Sequence, residues 1–342
     1  MDFAAAATTV RAGGALTAAE AEALFAGALR EGADEAALGE LLLALAARGE
    51  QPQEIAGAAA ALRGAMLPFE HGRPDAVDTC GTGGDGLHSF NLSTAAALVA
   101  ATAGAIVVKH GNRSVSSQCG SADLLEAAGV ALGQSPRAAR EVLEEVGIVF
   151  LFAPAFHPAM RFAAPVRRRL GVRTIFNFLG PLCNPGGVRR HLLGVSDPRR
   201  VPDMAAALDA LGFERAYVVH GAGGADELTL AGPNHVAVVG AAPELPAEPL
   251  ELGLGRAACE AFAGGDSGHN LGMLHELLAG ARGPVRDAVL YNATGALLAA
   301  GVEEDAAVAL ERAAAAVDSG AAAARLARWA ELSTRLAREE AA

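Results

Sequence analysis

Positive charge is the first thing this sequence lacks. Lysine and arginine together number 27 against 39 acidic residues, for a net charge of −12. Broad binding to nucleic acid or to an anionic membrane needs a basic surface, so neither is expected as a partner. One local basic pocket remains possible, with Lys109, Arg113 and residues 161–173 as candidates. Aromatic residues are also scarce, at 4% of the chain. Alanine supplies much of the apolar fraction instead, which predicts closely packed helices. Cys80, Cys119, Cys183 and Cys259 stand far apart with no CxxC pair, which argues against a zinc site. The longest weakly polar run, residues 90–108, contains Asn91, Ser93, Thr94 and Thr102 and is broken by Gly104. It reads as a helix followed by a buried strand, not as a membrane span. The opening MDFAAAATTVRAGG lacks a basic stretch followed by an apolar run, so no secretory leader is expected and a cytoplasmic location is.

What is present is a sizeable core. Hydrophobic residues make up 52% and charged residues 19%, a balance that argues against disorder and allows one large domain or two. The first 70 residues read as helices only. Thr17 and Glu20 form a capping box, Leu38, Leu41, Leu42 and Leu45 share one face of a helix over 34–47, and Pro52 suits a first helical position. Pro68 and the HGRPD segment read as a linker. From residue 75 short β-branched runs alternate with helices, and strands are predicted at 76–79, 105–108, 148–152, 191–195, 216–220 and 236–239. Such alternation predicts an α/β domain over 75–342 with a mainly parallel central sheet, behind a small all-helical domain over 1–70. Residues 156–184 interrupt the alternation with Pro, Arg and Asn, and part of 155–185 is expected to join the helical domain in space.

Two bursts of Gly, Ser, Thr and Asn stand out within residues 77–123. Backbone N–H groups can approach phosphate oxygens only where side chains are short. The first burst, Gly81-Thr82-Gly83-Gly84-Asp85-Gly86, matches G-x-G-x-x-G after a strand. A dinucleotide reading fails on its surroundings. Asp85 would repel a pyrophosphate, no acid follows the second strand, and a helical preface precedes the first. No GK[ST] follows the glycines, so a Walker A loop fails as well. The second burst begins Lys109-His110-Gly111-Asn112-Arg113-Ser114 and follows a buried strand, so two facing loops with two cations could serve one polyanion.

Five ordered motifs then narrow the reading: DTCGTGGDG with FNLST, KHGNRSVSS with GSAD, FLFAPAFHPAM, PVRRRLGVRTIFNFLGPLCNP, and GPVRDAVLYNA, with Asp226-Glu227 following a glycine stretch. Over residues 75–295 the chain resembles the anthranilate phosphoribosyltransferases, and its helical preface agrees with their small α domain. The resemblance implies a nucleoside-phosphorylase-like fold and a pentosyl transfer in tryptophan biosynthesis. Phosphoribosyl pyrophosphate (PRPP) is joined to the amino group of anthranilate, with Mg2+ as cofactor. It implies PRPP contacts at Gly81, Thr82, Gly83, Gly84, Asp85, Asn91, Ser93, Thr94, Lys109, Ser117 and Cys119. It implies anthranilate contacts at Gly81, His110, Asn112 and Arg167, with His157 shaping the channel, and magnesium at Ser93, Asp226 and Glu227. No acid–base residue is implied, and a homodimer through the N-terminal helices is expected. Cys119 and Ala225 depart from the family's pattern, which has Ser and usually Leu there, and His88-Ser89 is unusual. Two rival readings remain. A pyrimidine nucleoside phosphorylase on a related scaffold would lack the second and fourth motifs. A non-catalytic nucleic-acid-binding relative would not need the glycine loop with Asp226-Glu227.

Overall fold

The structure is a computed structural model that describes residues 1–114 and 118–341. Four helices open the chain. α1 (Phe3–Arg11), ahead of the first helix named from the sequence, is capped by the Asp2 carboxylate, which accepts from the Ala5 N–H. α2 (Ala18–Ala28) starts at the Thr17–Glu20 capping box, in which each side chain bonds the other residue's backbone N–H. α3 (Glu35–Arg48) buries Leu38, Leu41, Leu42 and Leu45, as their spacing predicts. α4 (Pro52–Ala65) begins with Pro52, where the missing N–H has no partner to lose.

The α/β part carries β1 (Val77–Gly81), α5 (Leu92–Thr102), β2 (Val107–Gly111), α6 (Ser121–Ala127), α7 (Pro136–Val146) and β3 (Ile148–Phe152). Three helices then replace a strand, α8 (Ala153–Phe156), α9 (Met160–Leu170) and α10 (Phe176–Leu182). β4 (Arg190–Gly194), α11 (Val201–Ala210), β5 (Arg215–His220) and β6 (His235–Gly240) complete the sheet. α12 (Ser267–Leu278), α13 (Pro284–Ala300), α14 (Ala306–Asp318) and α15 (Ala321–Ala341) follow. Gly147 ends α7 in the left-handed conformation that a side chain would resist.

All six expected strands form, in one sheet of order β3-β2-β1-β4-β5-β6. Every neighbouring pair is parallel except β5 with β6. The chain moves outward from β1 to β3 and then returns to β4, so the order reverses between β1 and β4. In open α/β sheets ligands bind outside the carboxyl ends of the strands at such a reversal. The last paired residues there are Gly81 and Gly194. Residue alternation along the strands serves two cores. Leu192, Tyr217 and Val219 pack with α5 and α13 on one face. Leu193, Ala216 and Val218 pack on the other, in a cluster with residues of α1–α4 and α9–α11. One boundary differs from expectation. Lys109 and His110 lie inside β2, not in the loop after it, because their backbone pairs with Phe150 and Leu151 of β3.

Candidate active site

A cleft of about 1190 Å³ opens at the carboxyl edge of the sheet. One wall is residues 81–86 with the start of α5. The other includes Leu62, Met160, Ala164, Arg167 and Phe176 from the helical side. Asp226 and Glu227 close the floor.

The floor exists because β1 and β4 end in glycine. A Cβ on Gly194 would lie 1.5 Å from the Asp226 carbonyl oxygen, and one on Gly81 would lie 2.1 Å from Asp226 Oδ2. With no side chain at either position, the acid pair rests directly on the strand ends. Asp226 Oδ2 accepts from the Gly83 N–H at 2.6 Å, and Glu227 Oε1 accepts from the Ser93 N–H at 2.9 Å. Burial, then the nearby Asp85, pushes the Asp226 carboxyl up to about 6. Burial and the adjacent Asp226 hold Glu227 well above the ordinary carboxyl range, with Lys109 among the few groups pulling it back. Asp85 itself accepts from the Leu87 N–H at 3.1 Å, so it orders its own loop.

At the N-terminus of α5 the capping residue does not cap. Asn91 instead donates to the Cys119 carbonyl at 3.1 Å and accepts from Asn270 at 2.9 Å. Among the described residues, the buried hydroxyls of Thr82 and Thr94 have no hydrogen-bond partner. Both line the cleft, where a helix N-terminus and unused hydroxyls together favour an anion.

Lys109 is 2% exposed, unlike most lysines, which keep their ammonium in water. Its Nζ donates to the Thr79 carbonyl. Beneath it lies a group that sequence reasoning missed. The fully buried Asp78 carboxylate accepts from the N–H groups of Thr79 (2.7 Å) and His110 (3.2 Å) and from Asn184 Nδ2 (2.8 Å). The only signal for it was an acid inside a predicted strand.

His110 Nδ1 lies 3.2 Å from the Gly180 carbonyl, so the neutral ring carries its proton there. That leaves Nε2 as an acceptor, buried with no hydrogen-bond partner among the described residues. His157 stands 5.1 Å away between ring centres. Burial lowers both imidazoles, His157 to about 4, so both are uncharged at neutral pH.

The expectation of two cations for one polyanion is corrected at Arg113. Its guanidinium is paired with Asp123, at 3.0 Å, and with Glu126, so most of its charge is already answered. Asp123 also accepts from the N–H groups of Ser114 (3.1 Å) and Gly120 (2.8 Å). Asn112 is exposed, its side-chain oxygen accepting from the Arg113 N–H at 2.8 Å. Cys119 is buried at the cleft edge. Ser117 lies outside the described residues.

Arg167 projects from α9 into the cleft, half-buried, 5.4 Å from the centre of the Phe176 ring, and burial lowers its pKa. Among the described residues it makes no ion pair. Arg168 and Arg169 are exposed, Arg169 pairing with Glu35 at 2.8 Å. Arg173, given no individual role from the sequence, donates to the Gly83 and Gly84 carbonyls.

Comparison with known proteins agrees with this geometry. Residues 5–66 match the glycosyl transferase family, helical bundle domain, and residues 73–323 match the glycosyl transferase family, a/b domain. The anthranilate phosphoribosyltransferase of Moorella thermoacetica is 49% identical over 296 residues, 86% of this chain and 87% of its own. The chain belongs to the anthranilate phosphoribosyltransferase family.

The crystal structure of the anthranilate phosphoribosyltransferase from Thermus thermophilus is 44% identical, with a TM-score of 0.90 over 96% of this chain and 99% of that one. The enzyme from Saccharomyces cerevisiae, in complex with PRPP and Mg, is 23% identical and shares the fold, with a TM-score of 0.86 over 97% of this chain and 98% of that one. Of the described positions that the anthranilate phosphoribosyltransferase resemblance named, Gly81, Thr82, Gly83, Gly84, Asp85, Asn91, Ser93, Thr94, Lys109, His110, Asn112, Cys119, Arg167, Asp226 and Glu227 all line this one cleft.

Proposed function

We propose that the chain transfers the phosphoribosyl group of PRPP to the amino group of anthranilate and releases pyrophosphate, the second step of tryptophan biosynthesis from chorismate. The observation that carries this reading is the pairing of unlike walls in one cleft. A glycine loop resting on a half-buried acid pair faces a half-buried arginine that makes no ion pair among the described residues.

The glycine loop, Asn91, Ser93, Thr94, Lys109, Ser117 and Cys119 hold PRPP. Short residues bring backbone N–H groups to the phosphates, and the unpaired hydroxyls of Thr82 and Thr94 are donors of the right kind. Asp226 and Glu227 fit Mg2+, with Ser93 beside them. Two half-buried carboxylates, Asp226 raised by desolvation and Asp85, and Glu227 by desolvation and Asp226, would supply the hard oxygens a divalent cation prefers. When bound, the ion offsets the negative charge of the leaving pyrophosphate.

Arg167 takes the anthranilate carboxylate, for which a planar guanidinium is matched. Gly81, Asn112 and the free Nε2 acceptor of His110 line the approach of the amine. An aromatic amine is already a neutral nucleophile at pH 7, so the protein's work is orientation and stabilisation of charge as the C1–O bond breaks. This agrees with the two uncharged histidines that line the cleft.

The proposed domain boundaries are 1–70 with part of 155–185, and 75–342. They are supported by Ala163, Val166, Ile175, Phe176, Leu179 and Leu182, which pack in one core with the N-terminal helices. Among the described residues no helix is long and apolar enough to cross a membrane, and the net charge disfavours nucleic acid. A cytoplasmic location fits the proposed pathway. A homodimer through the N-terminal helices is proposed, supported by Leu43 of α3, which is 44% exposed on their outer surface. Sedimentation should give twice the 34.4 kDa of one chain, and a Leu43→Glu variant should sediment as one.

The decisive assay follows the native fluorescence of anthranilate. Its loss should require PRPP and Mg2+ together. Phosphorolysis of a pyrimidine nucleoside with no change in anthranilate would favour the phosphorylase instead.

A further inference from the structure

Arg173 stands on the connection between α9, which bears Arg167, and α10, yet its guanidinium reaches the opposite wall. Nη1 donates to Gly83 O at 2.9 Å and to Gly84 O at 3.2 Å. Gly84 has φ +75°, and a Cβ there would lie 2.0 Å from Nη1, so only glycine admits this approach. The bonds fix more than two oxygens. In a trans peptide the C=O and the next residue's N–H point in opposite directions, and no cis bond occurs among the described residues. Anchoring the Gly83 and Gly84 carbonyls on Arg173 therefore turns the N–H groups of Gly84 and Asp85 away from the guanidinium. The rest of the loop is tied elsewhere. The Thr82 N–H bonds Gly194 O at 2.9 Å, and the Gly83 N–H bonds Asp226. Of these anchors, Arg173 alone comes from the Arg167 side of the cleft.

We infer that Arg173 is a positioning residue for PRPP, setting the Gly84 and Asp85 amides for phosphate oxygens from the wall that receives the acceptor. This rests on the PRPP reading above. A purely structural arginine would affect stability and both substrates alike, whereas a loop-setting arginine acts on one. Arg173 is exposed, so its removal leaves no cavity.

The test compares native chain, Arg173→Ala and Arg173→Lys by PRPP calorimetry, steady-state kinetics and thermal melting. Arg173→Ala is expected to weaken PRPP binding and raise its KM about tenfold, the scale of one charge-assisted hydrogen bond. The anthranilate KM should stay within about twofold and melting should change little. Arg173→Lys, which keeps a cationic donor for the same two oxygens, should recover most of the PRPP affinity. If Arg173→Ala binds PRPP as the native chain does, or if both KM values rise equally with a fall in melting temperature, the inference is wrong while the functional reading stands. A native chain that binds no PRPP overturns both.

Discussion

Asp226 carries the clearest consequence for a single residue. Its carboxyl, pushed up to about 6 by burial and Asp85, titrates near 3.9 in an unfolded chain. Between those values the native state binds more protons than the unfolded state, so stability falls as pH rises through the window, and the full cost is present above about 6. Asp226→Asn keeps an oxygen for the Gly83 N–H and never ionises. In the ligand-free protein the variant should melt above the native chain at pH 8, with the gap closing toward pH 4; a gap independent of pH would show that titration is not its cause. The same variant should lose magnesium dependence of PRPP binding. Arg167→Ala should raise the anthranilate KM at least tenfold with little effect on PRPP, since it removes the guanidinium fork but no loop anchor. The opposite pattern would end the carboxylate assignment. Residues of this kind were legible because they sit in motifs. Asp78 and Arg173 stand in the same motifs but were given no individual role, because each acts on groups that only the fold brings close, the His110 N–H and Asn184 for one and the Gly83 and Gly84 carbonyls for the other. His88 was only unusual in the sequence; in the structure it takes a positive φ, 51°, at the end of the glycine loop.

At the scale of elements, the site depends on how β1 and β4 end. Gly81 and Gly194 are paired neighbours, but their severest contacts with Asp226 differ. A Cβ on Gly194 strikes backbone at 1.5 Å, which cannot turn aside, whereas one on Gly81 strikes chiefly the carboxylate, at 2.1 Å, and meets the backbone oxygen only at 2.9 Å. Gly194→Ala should therefore lower stability by about 1–3 kcal/mol, as overpacking does. Gly81→Ala should leave melting nearer to native and chiefly remove activity, by displacing Asp226 from the Gly83 N–H. Parallel melting curves and activity assays separate the two, and equal losses of stability would refute the distinction. All six strands were legible from β-branched runs between turn residues. Two further aspects of the sheet were not. β2 runs on through Lys109 and His110, a pair that looks like loop until the Thr79 carbonyl and Asp78 are known to wait for them. The order of the strands, which places the reversal beside Gly81, is a property of long-range pairing that no local pattern encodes.

For the whole molecule, the sheet is shared property. Alternate residues of β4 and β5 belong to different cores, and the core on the helical side joins α1–α4 to Leu193, Val195, Ala216 and Val218. The helical layer and the sheet therefore bury one another, and a helical layer that melted first would expose half of the sheet. This shared core also explains why residues near 81, 167, 173 and 226 converge on one cleft although nothing in their spacing brings them together. Its consequence can be measured, because the single tryptophan, Trp329, is 1% exposed in the core of the other face. Trp329 fluorescence reports that face, while circular dichroism weighs every helix. If the two cores stand or fall through the common sheet, both signals should follow one denaturant transition with the same midpoint. A loss of helical signal ahead of the fluorescence change would mean that the first four helices unfold on their own, and that the cleft can open by melting one wall.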